Sequence, residues 1–383
     1  MDIFDLFETE KKKKLVTGYQ RENGVLVPLR YTETQQQGVE TRPVEVFEDL
    51  PQRPKGKAKK PSTRRIQVFD VKSVASARER VKRSETEQKR RLMPEVEFAE
   101  KNGGMREIPK LGKLPKVLEN LNTMFPNFSD AISAIGEDFA LAAASRPADF
   151  RISPMLLDGV PGIGKTAFAQ KLAADFGLPF LNINAAGLQH SASIVGAATH
   201  WASTAPGDVF SLLAEGESAT GVVLLDEVDK LQALSEYGVL PALLQLLEPE
   251  SARVFKDVSI NVVFDASHLI ILMTSNVRNR VDGALLSRAR VFEVEEPRFE
   301  QRVAIMQRWL QALQKQNRSR VKPTLAREEI ERLADLSLDL RALHRTIKSS
   351  YGRALLEQSE TLEIKWDSLE KQQQKRRPIG FAQ

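Results

Sequence analysis

The sequence predicts an α/β fold: a parallel sheet covered by helices, followed by a small all-helical domain. Three observations carry that prediction. Met155–Leu157, Val222–Leu225 and Leu269–Met273 are wholly apolar, as expected of strands buried on both faces. Between them lie segments of helical spacing such as Lys165–Phe176, which Gly177 ends. After Pro297 the pattern is helical to about residue 357.

Residues 1–110 read as a basic, partly disordered N-terminal extension. Gly24–Val27 and Val44–Phe47 are short apolar stretches suited to strands. From Pro51 to Arg65 there are seven basic residues, three prolines and no acid, which reads as a linker. Residues 70–92 have the look of a charged helix with few apolar positions, a solvent-exposed arm that Pro94 interrupts. The α/β domain is expected over 111–296. It begins with helices at Leu114–Phe125 and Phe128–Ala144. Met155–Leu157 is a strand entering a Gly-rich turn, and Lys165–Phe176 is the helix after it. Strands follow at Phe180–Ile183, Val222–Leu225, Leu269–Met273 and Val291–Val294. A helical lid is expected over 297–365 and a basic tail over 366–383. No internal repeat is present.

Composition narrows the chemistry. The chain has 383 residues and no cysteine, which excludes disulfides, thiolate zinc sites and cysteine nucleophiles. Its four histidines, His190, His200, His268 and His344, lack metal-ligand spacing. The N-terminus lacks the apolar segment of a signal peptide. No apolar stretch reaches the ~18–20 residues of a membrane span. A cytoplasmic protein is expected. Residues 1–110 hold 25 Lys and Arg against 18 Asp and Glu, so the net charge of +5 comes from the N-terminal third. Such an excess suits a solvated arm, or a surface for nucleic acid or an acidic partner.

The chemistry concentrates at Gly159-Val160-Pro161-Gly162-Ile163-Gly164-Lys165-Thr166. This run follows a predicted strand and opens a predicted helix, the context a phosphate-binding loop requires. Glycines let successive backbone N–H groups turn toward phosphate oxygens, and the helix N-terminus adds its dipole. Lys165 brings positive charge to the β- and γ-phosphates. Thr166 offers a hydroxyl to Mg²⁺. Some sixty residues on, Val222–Leu225 leads into Asp226 and Glu227. Acids at the carboxyl end of such a strand face the ligand crevice. Asp226 suits the Mg²⁺ shell, and Glu227 suits activation of an attacking water. ATP and Mg²⁺ are therefore the expected cofactors.

Asp226-Glu227-Val228-Asp229-Lys230 resembles the metal-site strand of the AAA+ superfamily, and within it that of the ATPase module of Lon protease. The resemblance runs from about Met155 to about Leu356. It includes Leu246-Leu247-Glu248-Pro249-Glu250 and Phe255-Lys256-Asp257. Thr274-Ser275-Asn276 resembles sensor 1, which implies that Asn276 touches the γ-phosphate or the lytic water. Leu285-Leu286-Ser287-Arg288 resembles the arginine-finger segment, with Arg290 a nearby competitor for that role. Asp339-Leu340-Arg341 resembles the sensor-2 position, which assigns Arg341 to it. The segment from Gly196 to Pro206-Gly207 is similar in spacing to the Lon pore loop, with Trp201 on its aromatic position and Ala197 and Ala198 where the family has basic residues. A tryptophan buried in the core is the competing reading of Trp201. Only about forty residues follow Arg341, so a Lon-like peptidase domain is not expected.

The resemblance implies an ATP-hydrolysing ring, a homo-hexamer, that remodels or threads a protein substrate and leaves room for a separate protease or effector partner. The other function class consistent with the sequence is a nucleic-acid-remodelling or loader ATPase that uses the basic N-terminal region.

Overall fold

The computed structural model describes residues 19–22, 25–28, 64–109, 113–188, 190–197, 205–231, 238–367 and 369. Val44–Phe47, Trp201, and most of the Pro51–Arg65 run and of the C-terminal tail lie outside them. The chain divides after Thr63. In the first unit, β1 (Tyr19–Glu22) pairs antiparallel with β2 (Val25–Pro28), Tyr19 opposite Pro28.

The second unit opens with β3 (Arg65–Gln67), α1 (Val71–Arg83), α2 (Thr86–Glu100) and β4 (Met105–Glu107), the two strands pairing antiparallel. Next come α3 (Leu114–Met124) and α4 (Ser129–Ala144). The central fold comprises β5 (Met155–Asp158), α5 (Lys165–Phe176), β6 (Phe180–Asn184), α6 (Ala192–Val195), α7 (Asp208–Glu215) and β7 (Val222–Asp226). It continues through α8 (Val239–Leu247), α9 (Pro249–Ala252), the β8 (Phe255–Asp257) and β9 (Val262–Phe264) hairpin, β10 (Ile270–Ser275), α10 (Gly283–Leu286) and β11 (Arg290–Glu293). The lid holds α11 (Phe299–Gln316), α12 (Arg327–Asp335) and α13 (Leu340–Leu356).

Five strands form one parallel sheet in the order β11-β5-β10-β7-β6. The three central strands are the apolar runs of the sequence, and every residue of β10 is buried. Being parallel, their carboxyl ends share one edge, where ligands bind in open α/β sheets. Asp158 lies opposite Ser275 there, and Asn184 opposite Asp226. The lid has a core of its own around Met306, Leu333, Leu343 and Ile347.

The expected break at residue 110 does not coincide with the structural one. Residues 64–109 are built onto the α/β domain. Residues 70–92 are not a single exposed arm: the chain turns at Ser84 and Glu85 between two helices, and Pro94 lies inside α2. Val74, Ala77 and Val81 of α1 and Leu92, Val96 and Ala99 of α2 are buried. Three apolar positions per helix suffice for a narrow packed stripe, and the surrounding charge hides it in the sequence. Phe69 packs against Phe210 of α7 and Phe264 of β9, ring centroids 5.3 and 5.8 Å away. Asp70 N–H donates to Val263 O at 3.0 Å. Arg106, only 1% exposed, donates to five backbone oxygens, among them Leu213 and Ala214 at the end of α7 and Phe98 in the last turn of α2. A cation at a helix C-terminus satisfies carbonyls that lack an intrahelical partner.

The β8–β9 hairpin and α7 leave little trace in the sequence pattern. Strands of three residues and a helix of eight carry too little periodicity to announce themselves.

Candidate nucleotide site

Gly159 leaves β5 against the end of β11; a Cβ there would lie 2.4 Å from Val294 O, so only glycine fits. Gly162 and Gly164 take φ of 88° and 106°, the left-handed region that glycine tolerates. The loop then enters α5, whose Phe168 stacks on Phe128 at 4.7 Å and meets Phe125 edge-on at 5.5 Å. These rings fix the helix that presents Lys165 and Thr166.

Lys165 is 7% exposed. Its Nζ donates to Gly159 O, to Val160 O at 3.1 Å and to Asn276 Oδ1 at 3.0 Å. Burial pulls its pKa below the ordinary value, opposed by Asp158, Asp226, Asp229 and Glu227. Thr166 Oγ1 donates to Asp226 Oδ2 at 3.0 Å. Thr274 Oγ1 donates to the other oxygen of Asp226 and accepts from Glu227 N–H at 2.9 Å. One hydroxyl on β10 thus sets two residues at the end of β7. Glu227 is a non-glycine residue in the left-handed region, φ 60°, and its carboxylate pairs with Lys230 at 2.8 Å.

The phosphate loop faces the lid across a cleft of about 670 Å³, within the usual size of a small-molecule site. Pro161 to Thr166, Asp226, Glu227, Asn276 and Arg341 all line it. Arg341 comes from the first turn of α13, which Asp339 caps by accepting from Ala342 N–H at 2.7 Å. A Cβ on Gly162 would lie 3.0 Å from Asp339 Cβ, so the lid helix closes directly on the loop.

Two sequence-selected arginines lie elsewhere. Arg288 does not line the cleft; its guanidinium bonds Ala284 O at 3.1 Å and pairs with Glu248 at 3.3 Å. Arg290 begins β11 at the opposite end of the sheet, held by Glu137 and Asp138 at 3.4 and 3.5 Å. Trp201 lies outside the described residues. Among the described residues on either side in sequence, Ala197 N–H donates to Ala205 O at 3.1 Å, and buried Asp257 accepts from Gly207 N–H at 2.7 Å.

Leu340 of the Asp339-Leu340-Arg341 segment joins Phe125, Ile305, Trp309 and His344 in an apolar end of the same cleft. No motif marks the other four, because packing rather than spacing brings them together. The Trp309 and His344 rings meet edge-on at 4.9 Å. Burial, and then Lys348, hold the His344 pKa below its ordinary 6.5. The unfolded chain therefore binds more protons than the folded one between the lowered value and 6.5, and stability falls as pH drops through that window. His344→Gln is expected to flatten the fall in melting temperature between about pH 7 and about pH 5. An unchanged slope would refute the assignment.

The donors suit Mg²⁺: a hydroxyl and a carboxylate, hard oxygens close together. Among the described residues no group of three or more His, Asp and Glu could hold a metal alone. A cation here needs phosphate oxygens and water to complete its shell, as Mg²⁺ usually does.

Residues 155–296 match the family model "ATPase family associated with various cellular activities (AAA)". That segment, residues 155–296, is similar to an AAA ATPase module. Relatives of the chain include a peroxisomal Lon protease homolog 2 from Caenorhabditis briggsae, 29% identical over 201 residues, covering 52% of this chain and 25% of that protein. The Lon protease of Leptospira interrogans is 29% identical over 206 residues, 54% and 24% of the two chains. The chain therefore matches about a quarter of the length of these Lon proteins. A closed-state cryo-EM reconstruction of Hsp104 with ATPγS and FITC-casein shares the AAA+ fold: TM-score 0.53, 19% identity, covering 66% of this chain and 49% of that one. Among the described residues no helix is long and apolar enough to cross a membrane.

Proposed function

We propose that the protein is a Lon-like AAA+ ATPase that hydrolyses ATP in a cytoplasmic homo-hexameric ring and threads or remodels a protein substrate. The observation that carries this is the convergence of Lys165, Thr166, Asp226, Glu227, Asn276 and Arg341 on one cleft between sheet and lid. Phosphate-loop amides and Lys165 hold the β- and γ-phosphates. Thr166 and Asp226 would hold Mg²⁺, which would neutralise charge on the phosphates. Glu227 accepts the proton of the attacking water, and Asn276 orients that water or the γ-phosphate. Arg341, on the lid, answers to the phosphates, so a change in phosphate charge shifts the lid against the sheet. Arg288 completes the neighbour's site.

Trp201 transmits that motion to polypeptide. A ring grips extended chain by apolar, non-directional contact, and the hydrogen bonds at Ala197, Ala205 and Gly207 tie the flanking residues to one another and to Asp257. Trp201→Ala is expected to leave basal ATP turnover within about threefold and to remove ATP-dependent unfolding of a fluorescent protein substrate. Trp201→Phe should retain part of it, since a ring is kept. Normal unfolding by Trp201→Ala would overturn threading; ATP turnover that rises with DNA and collapses with salt would favour nucleic-acid remodelling.

A further inference from the structure

We infer that Asp229 is a positioning residue for hydrolysis, setting the main chain of Asn276 and thereby the contact between its amide and the Lys165 ammonium. The inference rests on the ATPase reading of the cleft. Asp229 is a buried carboxylate, 7% exposed, in the single 3-10 turn Val228–Lys230 that follows Glu227. A buried carboxylate is costly unless hydrogen-bonded. Its Oδ1 accepts from the backbone N–H of Asn276 at 3.2 Å. That residue is the first beyond β10, which ends at Ser275, and the chain turns again at Arg278–Arg280. Asn276 has therefore left the strand that aligns its predecessors, and Asp229 is what holds its amide nitrogen.

The other end of Asn276 is engaged too. Its Oδ1 accepts from Lys165 Nζ at 3.0 Å. A chain of contacts thus runs from the turn after β7, through the end of β10, to the start of α5. Thr274 acts in parallel one position inside the strand, tying β10 to Asp226 and Glu227. β10 meets β7 through two polar clamps, one for the metal-site acids and one for Asn276. Asp229 also stands among the carboxylates that oppose the lowering of the Lys165 pKa, so its charge and its geometry need separate tests.

The experiment compares Asp229→Ala, Asp229→Asn and Asn276→Ala in the full chain by ATP turnover and by binding of a fluorescent ATP analogue. Asp229→Ala should slow saturated turnover by roughly 10²-fold, the usual result of displacing a group by about 1 Å. Its nucleotide affinity should stay within about threefold of wild type, because the phosphate loop is untouched. Asp229→Asn keeps an acceptor oxygen and should recover most of the turnover. Combined with Asn276→Ala, Asp229→Ala should add little, since it acts through that residue. Should Asp229→Ala not fold, Asp229→Gln, which moves the acceptor by one methylene, must be slow instead. Normal turnover in Asp229→Ala or Asp229→Gln overturns the inference. So do Asp229→Ala and Asp229→Asn variants that are equally slow and both lose nucleotide affinity, which would assign the role to charge on Lys165. Absence of ATP turnover in the wild-type chain sinks the ATPase reading itself, a result none of the variants can imitate.

Discussion

Lys165→Ala is expected to weaken ATP binding by roughly 10–100-fold, the worth of a charge-assisted hydrogen bond, whereas Glu227→Gln binds ATP and turns it over roughly 10²–10⁴-fold more slowly. The two residues stand in one cleft but reach it from different elements. Lys165 opens α5 with its ammonium turned into the loop, on Gly159 O and Val160 O. Its removal leaves the phosphates without their nearest protein cation. Glu227 follows β7 and is held by its backbone to Thr274 rather than by any contact with the loop. Glutamine keeps its size and its hydrogen-bonding head but cannot take a proton. Binding measured by a fluorescent nucleotide and turnover measured by phosphate release separate the two. Wild-type turnover in Glu227→Gln would remove it from the role of base. In the structure Lys230 pairs with the same carboxylate at 2.8 Å. That pair is partly exposed and screened by solvent, so it does not lock Glu227 away from water.

Much of the site was legible because its residues sit where strand, loop and helix meet in sequence. Lys165–Phe176 begins and ends in the structure where spacing and Gly177 place it. Val222–Leu225 and Leu269–Met273 became β7 and β10 because fully buried strands leave an uninterrupted apolar run. What stayed hidden depends on distance in sequence. Trp309 and His344 reach the cleft from two lid helices, and nothing local in either helix marks the face that turns inward. The N-terminal layer is hidden for a different reason. Nearly half the residues of its helices are charged, and each buried stripe consists of three residues. Arg106 reads in sequence as one more basic residue of an extension. In the fold it is the buried fastening between that layer and α7. Asp229 and Thr274 were visible as letters within motifs, but their hydrogen bonds cross between strands and no spacing encodes them.

Arg288→Ala is expected to bind ATP nearly as wild type does and to hydrolyse it roughly 10³–10⁵-fold more slowly, the span reported for arginine fingers. The geometry explains why the two effects separate. Arg288 follows α10 and does not line its own subunit's cleft. Its partner Glu248 is exposed, and such a surface pair contributes at most about 1 kcal/mol. The guanidinium is therefore held lightly enough to exchange Glu248 for phosphate oxygens of a neighbour, where it would stabilise charge that develops only in the transition state. Arg290 is a poorer finger: it sits at the far end of the sheet, between two carboxylates of its own chain. Mixing decides the direction of reach. In a ring containing both Arg288→Ala and Lys165→Ala subunits, some interfaces join an intact phosphate loop from the first to an intact Arg288 from the second. Those interfaces should hydrolyse ATP although neither variant does so alone. Complementation that peaks near equal proportions would establish a finger supplied across the interface. Rings of normal size with no recovery at any ratio would place the arginine's action within its own subunit and remove the basis for coupling between neighbours.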